Sequence, residues 1–381
     1  MSDVFIAGIG MTPVGEHWEL SLANLSARAL LGAIKDSGNI RPQALYVGNY
    51  LASTMSGQAN LGTLIADNAG LGHIETFSAE AGEASGAAAL HMGYLAVKSD
   101  YVNAALVVGV EKYTDMFGAE VEGLVSQSMD SDFEATEGLT PTGQAGMLMS
   151  RYMEFCRPPR EAFASLPLLA HANAVHNPNA LYRKAVSQDT YSNAPMLAFP
   201  LNLFDAAPYA DGAAAVLLVN EDLARSKNLV RVAASNVVID ALALHDRPDP
   251  LAFSAVTLSV QKALAQAGTD WDNINLFELW DAYSIFGTLT IEACGLAARG
   301  EGWRWLQDND LSPKGKLPLL TMGGNKARGF PLAAAGVYQA AEAVLQLRGN
   351  AGANQIQGAK TALIQAFGGP ASTVITHILK K

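Results

Sequence analysis

Apolar and polar positions along this chain follow two periods, and the order in which the periods alternate occurs twice. Residues 4–9 form a short apolar run closed by Gly10, the pattern of a buried strand. Residues 22–37 then space apolar side chains three and four apart, as an amphipathic helix does. Residues 44–47 read as a second strand, 58–69 and 85–98 as helices, and 104–110 as a fully apolar strand. In the second half, 230–238 is strand-rich, 258–268 is a helix ending at Gly268, 275–279 is a strand, 333–347 a helix and 361–366 a strand. Alternation of this kind predicts an α/β fold with largely parallel pairing. The segments 44–47, 85–98 and 104–110 match 275–279, 333–347 and 361–366 in order. That order predicts an internal duplication, with halves 1–225 and 226–381 packed about a pseudo-two-fold axis. A long insertion, about 113–200, interrupts the first half. It holds a helix near 145–155 and the polar run 171–179, and inserts on rigid cores carry ligand or oligomer contacts.

Composition narrows the function classes. Half of the 381 residues are apolar, enough for more than one core. A net charge of -11 argues against nucleic acid or an anionic membrane as partner. Cys156 and Cys294 are the only cysteines and lack CxxC or metal-ligand spacing, so no disulfide framework or metal site is expected. Cys156 reads as a fortuitous thiol and Cys294 as core of a helix over 288–296. The histidines, His17 and His245 among them, show no ligand spacing. Asp130, Asp132, Glu134 and Glu137 read as a solvated acidic patch. The N-terminus reads as a strand rather than a signal peptide, and no apolar run approaches bilayer length. A cytoplasmic protein without a membrane span is expected.

The candidate chemistry lies between Ala79 and Leu90, where a tight turn feeds a helix of small residues. This layout suits a nucleophile at a helix N-terminus. Glu83 stands where a reactive thiol is expected. A helix N-terminus stabilises an anion, but a carboxylate is a poor acyl acceptor beside a thiolate.

Motifs spread over the whole chain carry a family resemblance. They include Gly15-Glu16-His17-Trp18, Tyr46-Val47-Gly48-Asn49, Val108-Gly109-Val110-Glu111-Lys112-Tyr113 and Asp211-Gly212-Ala213-Ala214. Ala243-Leu244-His245-Asp246-Arg247, Gly323-Gly324-Asn325-Lys326-Ala327-Arg328-Gly329 and Gly368-Gly369 follow in order. Taken together they resemble the thiolase superfamily, most closely the archaeal and bacterial acetoacetyl-CoA thiolases and the sterol-carrier-protein-type thiolases. The resemblance implies two βαβαβαββ halves in five αβαβα layers, with an inserted loop domain. It also implies a nucleophilic cysteine, two histidines, a proton-moving cysteine and backbone oxyanion donors.

Carried over position by position, the nucleophile is Glu83. The family's His-Asp-Cys-Phe segment is Trp280-Asp281-Ala282-Tyr283, and its Gly-His-Pro segment is Gly329-Phe330-Pro331. The amides of residue 83 and Gly369 remain as oxyanion donors. Two roles are open to Glu83: a base or electrostatic element, or a carboxylate held by amides without chemistry. Trp280 and Phe330 either line an apolar acyl pocket or fill the volume of the histidines. In the related steroid side-chain aldolases tyrosines stand at those two positions, whereas neither residue here has a hydroxyl. Tyr283 either supplies a hydroxyl or belongs to the core. Gly323, Gly324, Lys326 and Arg328 border the family's pantetheine path, the glycines as a thin wall and the cations as a CoA phosphate contact or a solvated loop pair.

Two functions follow from the resemblance. One is a non-acylating subunit that binds acyl-CoA within an acyl-CoA-processing complex. It would act as a homodimer, or as a heteromer with an active thiolase or a small zinc-ribbon/OB-fold protein. The alternative is an enzyme using Glu83 for altered C–C chemistry on a CoA thioester, such as retro-aldol cleavage or decarboxylation. Neither requires a covalently bound cofactor; a CoA thioester is the expected ligand.

Overall fold

The apolar run near the N-terminus forms β1 (Phe5–Met11), buried along its centre. The computed structural model describes residues 2–116, 118–224 and 228–381, and the expected boundary between the halves at 225–226 lies outside them. After β1 come α1 (Leu22–Asp36), β2 (Ala44–Gly48), α2 (Ala52–Met55), α3 (Leu61–Asn68), β3 (Glu75–Ala79), α4 (Ser85–Lys98) and β4 (Ala104–Glu111). The insertion carries α5 (Gly118–Val125), α6 (Pro141–Cys156), α7 (Ser165–Ala174), α8 (Gln188–Ser192) and a small hairpin, β5 (Met196–Ala198) with β6 (Leu201–Asn202). β7 (Gly212–Val219) returns to the sheet. The second half holds β8 (Val230–Ile239), α9 (Ser254–Ala267), β9 (Leu276–Glu278), α10 (Ser284–Ala293), α11 (Gly302–Asp308) and α12 (Gly324–Arg328). α13 (Ala335–Arg348), β10 (Thr361–Gly368) and β11 (Thr373–Lys380) complete it.

The main sheet runs β3-β2-β4-β7-β1-β8-β11-β10-β9. Read outward from the β1–β8 seam, β7-β4-β2 on one side mirrors β11-β10-β9 on the other. The seam itself is short, pairing only Phe5 with Arg231 and Ile6 with Val230. Largely parallel pairing was the expectation, and the sheet corrects it. β2 is parallel to β3 and β4, and β9 to β10. The ladders of β7 with β1 and β4, of β11 with β8 and β10, and of β1 with β8 are antiparallel. The cause is that β7 and β11, absent from the sequence expectation, return as the last strand of each half, β7 wedged between β1 and β4 and β11 between β8 and β10.

Alternation along the strands sorts the layers. Leu45, Val47, Leu106 and Val108 pack beneath α1 and α3, whereas Ala44, Tyr46, Ala105 and Val107 face α4 and α13. α13 touches β7 and β1 of one half and β10 of the other, and α4 reaches from β2 and β4 to β8. α9 covers the outer face of β8 and β11. The result is the αβαβα stack, with α4 and α13 as its central layer. α13 is buried around nearly its whole circumference, Gln339, Glu342 and Gln346 included, as a helix with sheets on both sides must be. The two helices approach closely because Gly86 carries no side chain: a Cβ there would lie 2.2 Å from the Ala333 carbonyl oxygen.

Local boundaries shift by about a turn. α9 begins at Ser254 rather than 258. α10 spans Ser284–Ala293 rather than 288–296, so Cys294 is its C-cap. The acidic patch is only partly solvated, because Glu134 is buried. Its carboxylate accepts from Gln144 Nε2 (3.1 Å), Leu244 N (3.2 Å) and Asp130 N (3.2 Å), tying three segments together. Among the described residues no helix is long and apolar enough to cross a membrane.

Candidate active site

The turn between β3 and α4 is built by Gly82 and Ser85. Gly82 takes φ +58°, which favours glycine. Ser85 Oγ accepts from Ala81 N (2.9 Å) and donates to Gly82 O (2.5 Å), closing the loop on itself. Glu83 is thereby held just before the first turn of α4, 6 % exposed. Its Oε2 accepts from Gly369 N (2.8 Å) and its Oε1 from Ser128 Oγ (3.1 Å). Burial pushes its carboxyl above the ordinary range, against the opposing pull of the Gly369 amide, its own amide and Ser128. The amide of Gly369, which β10 presents at the pocket, is therefore already engaged by a side chain of the same molecule.

Aromatic side chains wall the rest of the pocket. Trp280 and Phe330 meet edge to face, with centroids 5.4 Å apart, and Tyr209 stacks on Phe330 at 6.1 Å. Tyr283 stands edge-on to Phe286 at 5.1 Å. Val125, Ser128 and Met129 close the side contributed by the insertion. The cavity they line measures about 20 Å³, room for about one water. Sequence reasoning singled out Glu83, Trp280, Tyr283, Phe330 and Gly369, and all five line this one cavity. It missed Ser128 and Tyr209. Tyr209 lies two residues before the Asp211-Gly212 motif, a signal that was available; Ser128 carried none.

The residues expected at the CoA path lie elsewhere than a solvated loop. Arg328 is fully buried, and its guanidinium pairs with Glu342 (2.9 Å). Lys326 is 2 % exposed and donates to the Asp205 carbonyl oxygen (2.7 Å), its amine lowered to about 8 by burial. A Cβ on Gly324 would lie 2.4 Å from Asp281 Oδ2, and one on Gly323 2.7 Å from Ala174 Cβ. The thin backbone thus admits atoms of this chain. Burial overturns the alternative of a solvated loop pair for the two cations. Asp281, which accepts from Asn325 N (2.7 Å) and Lys326 N (3.2 Å), caps α12 and points away from Glu83's pocket. Lys326 does line a second cavity, of about 200 Å³, with Phe204, Pro208 and a stacked His171–Tyr182 pair. The strip 206–209 divides the two cavities and is fixed by Ala207 N donating to Ala282 O (2.7 Å).

Neither cysteine lines the Glu83 cavity. Burial raises the pKa of both thiols, the reverse of what activates a thiolate. Among the described residues no group of three or more His, Cys, Asp or Glu side chains is placed to hold a metal.

Comparison with known proteins accounts for the architecture. The profile of the thiolase N-terminal domain matches residues 4–222, and that of the thiolase C-terminal domain-like family matches residues 237–381. An acetyl-CoA acetyltransferase of Methanothermobacter thermautotrophicus is 37 % identical, covering all of both chains. Benzoylsuccinyl-CoA thiolase subunit BbsB of Thauera aromatica is 30 % identical over 96 % of this chain and 94 % of its own. The 17-hydroxy-3-oxo-4-pregnene-20-carboxyl-CoA lyase of Mycobacterium tuberculosis is 27 % identical over 97 % and 98 %. A solved chain of the Ltp2-ChsH2(DUF35) aldolase superposes with a TM-score of 0.85 at 23 % identity, covering 99 % of this chain and 97 % of that one, a likeness of fold. With both profiles matched in order and relatives at 30 % identity or more along nearly their whole length, the chain belongs to the thiolase family.

Proposed function

We propose that this chain is a cytoplasmic CoA-thioester-binding thiolase that forms no acyl-enzyme and serves as a subunit of an acyl-CoA-processing complex. One observation carries it: the Glu83 carboxylate occupies the Gly369 N–H at 2.8 Å, in a pocket without thiol or imidazole. An oxyanion needs that donor free, and acyl transfer needs a nucleophile and a base beside it. A thioester enters only with displacement of lining side chains, because the cavity holds about one water. CoA thioesters as ligands are supported by the names of three relatives, each of which includes a CoA compound.

The surface supports assembly. β3 is an edge strand with Phe77 exposed, the place where a second copy can pair. The β5–β6 hairpin exposes Met196, Leu197 and Phe199 beside Leu203, an apolar face for an active thiolase or a zinc-ribbon/OB-fold partner.

Intact-mass analysis after incubation with acetyl-CoA and acetoacetyl-CoA tests the proposal. No covalent acyl adduct is expected, and an adduct on any side chain refutes it. Calorimetry with acetoacetyl-CoA tests the ligand: E83A, which frees the Gly369 amide, is expected to bind more tightly than the wild type. Absence of binding by both removes CoA thioesters as ligands.

A second function, C–C cleavage of a CoA thioester, is favoured by a separate observation. The buried hydroxyl of Tyr283 lines the same cavity as Glu83, so a proton-bearing group faces the carboxyl across the pocket.

A further inference from the structure

Three side chains from separate elements are joined behind the Tyr283 wall of the pocket. Thr142 Oγ1 donates to Glu122 Oε1 at 3.0 Å. Thr142 Oγ1 also lies 3.1 Å from the Tyr283 hydroxyl. A threonine hydroxyl has one proton, and with that proton on Glu122, its oxygen must accept from Tyr283. The polarity of the chain is thereby fixed. Tyr283 gives its proton outward, and its free lone pairs are turned to other neighbours. If Glu122 takes up a proton, both bonds can reverse, and Tyr283 accepts from Thr142 with its own proton freed toward the pocket. The other carboxyl oxygen, Glu122 Oε2, is buried and accepts no hydrogen bond within ordinary distance among the described residues, with Tyr209 acting on the same carboxyl. Burial of that carboxyl shifts it toward the protonated form.

We propose that Glu122, Thr142 and Tyr283 form a proton wire that takes the hydroxyl proton of a β-hydroxyacyl-CoA held against Glu83. The proposal rests on the second function above. The substrate hydroxyl passes its proton to Tyr283 as Tyr283 passes its own to Thr142 and Thr142 passes its own to Glu122. The resulting alkoxide closes to a carbonyl, the Cα–Cβ bond breaks, and its electron pair moves into the thioester as an enolate. Glu83, whose carboxyl burial shifts toward the protonated form, returns one proton to the α-carbon. One proton leaves the substrate and one enters it, so the products are a carbonyl compound and a shortened acyl-CoA. Exchange with solvent then restores both carboxyls, and no oxidant or further reactant is needed. Tyr283 touches the substrate; Thr142 and Glu122 act through it as positioning residues.

The test uses 3-hydroxy-3-phenylpropionyl-CoA, whose cleavage releases benzaldehyde, with the wild type, Y283F, T142V and E122Q. The wild type is expected to release benzaldehyde. Y283F and T142V are expected to lose at least tenfold in kcat with KM within about twofold, and E122Q is expected to lose one limb of the pH–rate profile. Wild-type kcat in Y283F and T142V overturns the wire while leaving the lyase function standing. If the wild type releases no benzaldehyde, the lyase function fails and infrared spectroscopy decides the wire. The carboxyl band absent from E122Q is followed against pH in the wild type and in Y283F, which does not touch Glu122. A shifted midpoint in Y283F upholds the hydrogen-bonded chain, and an unchanged midpoint overturns it.

Discussion

Glu83 shows how one residue sets the chemistry of a pocket. Its folded-state pKa is raised above its ordinary 4.5 by burial. The sign follows from linkage: its contribution to stability is complete below pH 4.5 and is lost as pH rises through the folded pKa. E83Q keeps an acceptor for Gly369 and carries no charge. Urea unfolding from pH 5 to pH 9 should therefore show the wild type weakening relative to E83Q, by up to about 1.4 kcal/mol per pH unit within that window. Equal pH profiles for the two proteins would show that the carboxyl titrates normally. Much of this site was legible in the sequence, because Glu83, Trp280, Tyr283, Phe330 and Gly369 each sit inside a motif that anchors its own position. Lys326 and Arg328 were not. Charged side chains beside glycines look solvated, and the partner that buries Arg328, Glu342, lies on α13 beyond a turn of the chain. Glu122 and Thr142 were equally illegible, since only the fold of the insertion brings α5, α6 and Tyr283 together.

At the scale of elements, α4 fits tightly against the turn that leads into α13. Gly86 meets Ala333 there, and Gly48 of β2 lies behind it, with no room for a methyl on either glycine. G86A must push the two helices apart, because the obstructing atom is a backbone carbonyl. A loss of about 1–3 kcal/mol is expected in chemical denaturation. Since Glu83 lies three residues before Gly86, the Glu83–Gly369 contact should loosen as well, read as tighter acetoacetyl-CoA binding. Both helices were legible as small-residue, strongly apolar segments. That they form one layer between two sheet halves was not, because α/β alternation leaves the packing of helices open and β7 and β11 went unrecognised. A residue tally of parallel-looking strands misleads here, since the returning strand of each half decides the ladder directions.

Over the whole molecule, buried titratable groups pull stability in opposite directions with pH. His377 lies between the sheet halves and shares Ser235 Oγ with His91, at 2.9 and 2.8 Å. Burial lowers it to about 3, so its contribution is complete above pH 6.5 and is lost as pH falls toward 3. Burial raises Glu111 to about 8 and Glu278 to about 7, so theirs is complete below pH 4.5 and is lost as pH rises toward those values. Thermal unfolding should therefore peak between pH 4.5 and 6.5, and H377Q should move the peak to lower pH. A peak at pH 8 or above would contradict these burial effects. The β1–β8 seam has a further consequence. Two residue pairs join the halves of the sheet, while α13 spends much of its apolar surface on strands of the opposite half. Polypeptides 1–225 and 226–381 made separately should each stay unstructured by circular dichroism and assemble into one soluble particle when co-expressed. A molecule built this way is inherited, engineered or broken as a unit, and no working module can be excised from it.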